Sequence, residues 1–195
     1  MKKRNLLIII STFILIIGCK DNDKLDYSKL GSKSANDHFQ AVIEIPAGTN
    51  KKFEYNYSNN EFECELINGK KRSVNYIPYV GNYGFIPSTL MDTLENGDGD
   101  AVDILVLSSS IDQGAIIEID ILGALELYDS EELDHKIIAI PVNNELKTYR
   151  ADSLNTSVKT IIETWFTSYK QSTSLSAGKW YSKTEAIDLI RTASK

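Results

Sequence analysis

The chain has 195 residues and a net charge of −6, with 21 Lys and Arg against 27 Asp and Glu. That balance offers no basic surface to a nucleic acid and excludes one as a partner. With 2 histidines, His38 and His135, a histidine-built zinc or iron centre is excluded too, while the length suits one domain with a real core.

Lys2, Lys3 and Arg4 precede an apolar stretch, Leu6 to Ile17. It falls well short of the roughly 20 residues that cross a bilayer as a helix, so it reads as the core of an export signal and not as a fold element. Gly18-Cys19, after branched aliphatics, resembles the bacterial lipobox. That implies a signal peptide over 1–18 and a lipid-bearing Cys19. An uncleaved anchor is the competing reading, and either one tethers the protein to a membrane of the bacterial cell envelope, on its periplasmic or surface side. Cys64 would then have no cysteine partner. Polar residues follow to Asp37, so 19–37 reads as the lipidated cysteine with a flexible tether. The folded domain is expected over 38–195.

Within that domain apolar residues first recur at the strand period, over Ala41 to Pro46, Phe53 to Tyr57, Phe62 to Ile67, Ala101 to Leu107, Ala115 to Tyr128 and Lys136 to Val142. Gly48, Asn68-Gly69, Gly81, Asn96-Gly97 and Gly114 punctuate them. Helical spacing appears only afterwards, with Val158, Ile161, Ile162, Trp165, Phe166 and Tyr169 on one face. A second helix opens at Ser182 with Glu185 three residues on, a capping-box pattern. Many strands followed by two late helices predict a small barrel with helices packed outside it.

The chemistry-bearing residues interrupt this frame. Asp98, Asp100 and Asp103 crowd three carboxylates into six residues at the mouth of an apolar strand. Like charges so close need cations, and hard divalent ions take oxygen ligands. The run reads as a magnesium or manganese site, with a solvated acidic turn as the alternative. A calcium loop fails, because Ala101 and Leu107 stand where it needs Gly and Glu. Glu44 breaks a branched-aliphatic strand, Lys52 and Glu54 share a face, and Asp134 and Lys136 lie two apart at a strand entry. Singly each suits a surface ion pair; together they suggest a site. His135, between Asp134 and Lys136, points to the opposite face.

These residues, with Val42-Ile43-Glu44-Ile45-Pro46, Asn82-Tyr83-Gly84-Phe85-Ile86-Pro87 and Gly178-Lys179-Trp180, resemble the soluble family I inorganic pyrophosphatases. The resemblance implies a fold that is mainly β with α, an OB-like five-stranded barrel with flanking C-terminal helices. It implies magnesium-dependent hydrolysis of pyrophosphate by direct attack of water, with several Mg2+ ions and Mn2+ as the other candidate. It assigns Asp98, Asp103, Asp134, Asp129 and Glu44 to metal and Asp100 to the general base. Lys52, Arg72, Tyr83, Lys136, Tyr169 and Lys170 fall to substrate phosphates, with Glu54 and Tyr79 in support, and relatives are often homo-oligomers.

Three positions depart from the family's pattern. Ala101 replaces a usual Pro or Glu, the basic segment Lys70-Lys71-Arg72 is short enough before Tyr79 for Lys71 to compete with Arg72, and the export signal is unusual in a cytosolic family. Packing roles compete for two tyrosines, in the helix core for Tyr169 and in a turn for Tyr83. A metal- or phosphate-binding lipoprotein of the same fold, or a hydrolase of another phosphoanhydride, is the alternative function. Retention of Asp100 favours the enzyme.

Overall fold

A computed structural model of the chain describes residues 24–93, 97, 99–130, 132–143, 154–170 and 175–194. Cys19 and Asp98 lie outside the described residues. In chain order the elements are a 3-10 turn Tyr27–Lys29, strands β1 Phe39–Ile45, β2 Phe53–Asn56, β3 Glu61–Cys64, β4 Leu66–Ile67, β5 Lys70–Lys71, β6 Asn82–Phe85, β7 Asp103–Val106, β8 Ile116–Asp129, β9 Glu132–Leu133 and β10 Lys136–Pro141, helix α1 Thr156–Ser168, strand β11 Leu175–Tyr181 and helix α2 Lys183–Ala193.

Five strands carry the architecture. β1 pairs with β6, β6 with β7, β7 with β10, β10 with β8, and β8 with β1 again, so the pairing runs round a ring as the barrel expectation requires. Only β7 and β10 run parallel. β11 extends the sheet along the C-terminal half of the long β8, and β2 and β3 form a separate hairpin.

The central strands read as continuous apolar runs because both their faces are covered. Leu105, Ile138 and Ile140 pack with Ile162, Trp165 and Phe166 of α1. The alternate residues Ile104, Val106, Ile137 and Ala139 pack with Ala186 and Ile190 of α2. Helix α2 starts where its sequence signals it: Ser182 caps Glu185 and the Glu185 carboxylate returns to the Ser182 backbone.

Several local expectations differ from the structure. Ile161, assigned to the apolar face of α1, is 57% exposed, while Ile162, Trp165 and Phe166 do the packing. The segment Phe62 to Ile67 is two short strands separated at Glu65. Strands β6 and β11 were not anticipated, and β11 lies between the two helices. The expected tether is also shorter than Cys19 to Asp37. Tyr27 is buried and donates its hydroxyl to the Gly114 carbonyl at 2.7 Å, the Ser88 hydroxyl bonds the Leu30 carbonyl at 2.7 Å, and Lys33 bridges to Phe39. The chain is therefore docked on the domain from about residue 24.

Gly84 shows how tightly the ring is drawn. A Cβ there would stand 1.9 Å from the Val42 carbonyl oxygen, a backbone atom of the paired strand β1. Gly84→Ala is expected to part β1 from β6 and lower stability by roughly 4 kcal/mol or more. Urea unfolding followed by far-UV circular dichroism measures it, and a midpoint unchanged from the parent would contradict this packing.

Candidate active site

At one end of the ring the strands open on a cavity of about 310 Å³, lined by Glu44, Lys52, Glu54, Tyr79, Tyr83, Asp100, Asp103, Asp129, Asp134, Lys136, Tyr169 and Lys170, with Tyr55, Tyr57 and Phe85 among its aromatic walls. Every described residue that the sequence pointed to as metal-binding, catalytic or substrate-binding is in this wall except Arg72. That residue stands behind it: its Nη1 donates to Glu65 Oε2 at 2.6 Å, and Lys52 Nζ reaches the same oxygen at 3.2 Å.

The backbone explains the convergence. Asp103 opens β7 and Lys136 opens β10, and the parallel register sets them opposite each other. The Lys136 ammonium bridges the Asp103 and Asp134 carboxylates. Tyr83, next along on β6, donates its hydroxyl to Asp103, and its ring lies 5.6 Å beneath the ammonium. Asp129 ends β8, where it receives Lys170 from beyond α1. Glu44 on β1 accepts the Tyr55 backbone N–H at 2.7 Å, and Lys52 pairs with Glu54 at 2.6 Å.

The packing role expected of Tyr169 is seen, whereas Tyr83 lies within strand β6 and not in a turn. Tyr169 stacks on Trp165 with centroids 4.8 Å apart and still lines the cavity. Tyr83 is buried yet bonded to Asp103. His135 faces away, its Nε2 3.3 Å from the Tyr181 hydroxyl. The sequence reading missed Glu65, whose only signal was a row of acids at Glu61, Glu63 and Glu65 that looks like a solvated strand face. It also missed Tyr57, an exposed aromatic with no distinguishing pattern.

The electrostatics are those of a site short of positive charge. Among the described residues six carboxylates line the cavity against three ammonium groups, from Lys52, Lys136 and Lys170. Burial opposes the charge of Lys136, but Asp103 and Asp134 outweigh it and hold the amine well above its ordinary range. Burial raises Asp100, helped by the charges of Asp103 and Glu54. Burial pushes Glu44 up to about 8 against the bond from Tyr55, with Asp103 and Glu54 adding to the rise.

A carboxyl raised in this way stabilises the fold only while it is protonated. The contribution is whole below its unfolded value near 4.5 and is lost as pH climbs through about 8. Glu44→Gln keeps the acceptor for Tyr55 and removes the buried charge. Above pH 8 in chelator the variant is expected to be more stable than the parent by on the order of 3 kcal/mol, with no gain below pH 4. Urea titrations at the two pH values measure the difference.

Among the described residues the wall offers carboxylate and phenol oxygens and no imidazole or thiolate, which fits a hard divalent cation. Among the described residues no three carboxylates already stand close enough to hold one together, and it is the Lys136 ammonium that bridges Asp103 and Asp134.

The family model described as inorganic pyrophosphatase matches residues 41–195. The inorganic pyrophosphatase of Sulfolobus acidocaldarius is 33% identical over 174 residues, covering 84% of this chain and 93% of its own. That of Campylobacter jejuni is 32% identical over 163 residues, covering 80% and 86%. The crystal structure of inorganic pyrophosphatase from Thermus thermophilus superposes with a TM-score of 0.74 at 26% identity, covering 87% of this chain and 97% of that one. The enzyme from Helicobacter pylori superposes at 0.70 with 27% identity, covering 85% and 96%. Fold, cavity and these likenesses agree: the chain belongs to the inorganic pyrophosphatase family, whose members hydrolyse pyrophosphate.

Proposed function

We propose that the protein hydrolyses inorganic pyrophosphate to two phosphates by direct attack of water, with Mg2+ as cofactor, in the bacterial cell envelope on its periplasmic or surface side. The observation that carries the site reading is the cavity in which Asp100, Asp103, Asp129, Asp134 and Glu44 converge with Lys52, Lys136 and Lys170. Pyrophosphate is a multiply charged anion, so a wall of carboxylates alone would repel it. Magnesium held by Glu44, Asp98, Asp103, Asp129 and Asp134 would offset that charge and lower the pKa of the attacking water.

The chain's own groups supply the rest. Asp100 takes the proton of the attacking water, and its raised affinity for protons suits that task near neutral pH. Lys52, Lys136, Lys170 and Arg72 hold the phosphates and receive the charge that builds on the departing one, with hydroxyl donors from Tyr83 and Tyr169. Glu65 and Glu54 aim Arg72 and Lys52, and Tyr79 packs between Tyr83 and Trp165. No covalent intermediate on the protein is needed.

The envelope location is supported by the sequence Lys2-Lys3-Arg4, the apolar stretch and Gly18-Cys19. Two measurements test the reading. Phosphate release from pyrophosphate is expected with magnesium and lost in chelator. Mass spectrometry of the protein from bacterial membranes is expected to find Cys19 as an acylated N-terminus. A folded protein that binds magnesium but releases no phosphate would move the reading to another phosphoanhydride.

A further inference from the structure

Among the described residues, none covers the exposed side chains of the β4–β5 hairpin. Leu66 pairs with Lys71 and Ile67 with Lys70, across a turn in which Asn68 and Gly69 both have positive φ, 52° and 73°, the tight turn that Asn-Gly favours. Opposed residues share a face of a hairpin and successive ones alternate. Each face of the tip therefore carries one apolar and one basic side chain. Leu66 is 61% exposed and Ile67 50%, and both lysines are exposed. Exposed Lys51, bridged to Ser73, adds a third positive charge at the hairpin's base.

An apolar side chain uncovered on both faces suits a medium that surrounds the tip better than a flat protein face that meets one side of it. The headgroup layer of an anionic bilayer is such a medium. It takes Leu and Ile down to the acyl boundary and leaves lysines to reach the phosphates. The start of the domain points the same way. Lys24 pairs with Glu61, at the beginning of the strand that leads to Leu66, about 17 Å of chain away. Only four residues separate Cys19 from Lys24, so the chain between them reaches at most about 18 Å. A lipid on Cys19 would keep the hairpin within reach of the membrane that anchors the chain.

We propose that the hairpin of residues 66–71 inserts its tip into the headgroup layer of an anionic membrane, as a second contact beside the lipid of Cys19. This deepens the envelope reading above and rests on it, but the hairpin can be tested without the lipid. The test uses the chain from Lys20 onward. It contains every described element, and the solved Thermus relative consists of little more than this part, 97% of that chain being covered.

The chain is sedimented with vesicles of phosphatidylglycerol and phosphatidylcholine, or of phosphatidylcholine alone, at low and high salt. Binding is expected only on the anionic vesicles, weakened by salt, and reduced at least tenfold in the double variant Leu66→Ser, Ile67→Ser and severalfold in Lys70→Gln. Both variants are expected to keep their solution turnover of pyrophosphate, which certifies their fold. As an independent reading, a nitroxide label on Ile67→Cys in a Cys64→Ser background is expected to become shielded from an aqueous relaxation agent when anionic vesicles are added. Absence of binding by the parent, or equal binding by the Leu66/Ile67 variant, would overturn the proposal. So would a change of molar mass in that variant with vesicle binding intact, because the hairpin would then serve contacts between copies of the chain. Failure of Cys19 acylation, by contrast, would remove the tether and leave the vesicle result standing.

Discussion

Asp100→Asn is expected to lower pyrophosphate turnover by about 10²- to 10⁴-fold, the usual contribution of a positioned general base, while the protein folds as before. Burial and the neighbouring charges of Asp103 and Glu54 already disfavour the ionised carboxyl. An isosteric amide therefore relieves repulsion, and the urea midpoint in chelator should match or exceed the parent's. A metal ligand and a base are separated by how the loss divides. If Asp100 acts on the attacking water, kcat falls with little change in the magnesium concentration that gives half-maximal rate. If it acts mainly as a ligand, that concentration rises steeply. The pH dependence gives a second reading. A base must be ionised, so the parent's rate falls as pH drops through the raised carboxyl value, and that acid limb is expected to vanish in the variant. Steady-state phosphate release from pH 5 to 9 over a magnesium titration measures both. Turnover within tenfold of the parent would remove Asp100 from the chemistry.

What the sequence made legible divides along physical lines. Strands built of short continuous runs of branched aliphatics, such as β1, β7 and β10, were visible because local pattern and tertiary burial agree. The same holds for α2, whose Ser182–Glu185 box is a local signal. β6 was not, since Asn82-Tyr83-Gly84-Phe85 has no branched residue. Its place depends on Gly84 lying against Val42, a contact 42 positions away in the chain. β11 was hidden for a similar reason. Its register shifts between Ala177 and Trp180, where a Cβ on Gly178 would meet the Glu126 carboxylate at 2.1 Å, so no alternation survives to be read. The docking of Tyr27 depends on the Gly114 carbonyl, 87 residues on, and a polar stretch gives no hint of it.

The candidate site was more legible than the fold because its residues break local rules. A glutamate inside Val42-Ile43-Glu44-Ile45 and three aspartates in six residues are costly unless something offsets them. Their partners were harder to see. Lys136 meets Asp103 through strand register across 33 positions, and Glu65 gathers Lys52 and Arg72 only because β3 and β4 part at that residue.

Lys136→Met is expected to produce the largest combined effect on stability and activity. The lysine side chain is 6% exposed and bridges two carboxylates, so its removal leaves Asp103 and Asp134 facing each other with their compensating charge gone. Breaking a buried ion pair by removing one partner costs about 3–5 kcal/mol. Methionine keeps the volume and the apolar stem, which confines the loss to charge. Asp103 and Asp134 are themselves about one-fifth exposed, so solvent screens part of it and about 3 kcal/mol is the expected figure in chelator. The two carboxylates are also the proposed place of a divalent cation, and a ligand that binds only the folded state stabilises it by mass action. Magnesium should therefore restore more stability to Lys136→Met than it adds to the parent, in which the ammonium competes for the same oxygens. Turnover should not recover, because the group offered to the phosphate is gone, and a loss of about 10²-fold or more is expected. Urea unfolding and phosphate release, each with and without magnesium, measure the pair. Recovery of activity together with stability would assign Lys136 to holding the metal-free site together and not to the substrate, whereas stability recovered without activity assigns it both tasks.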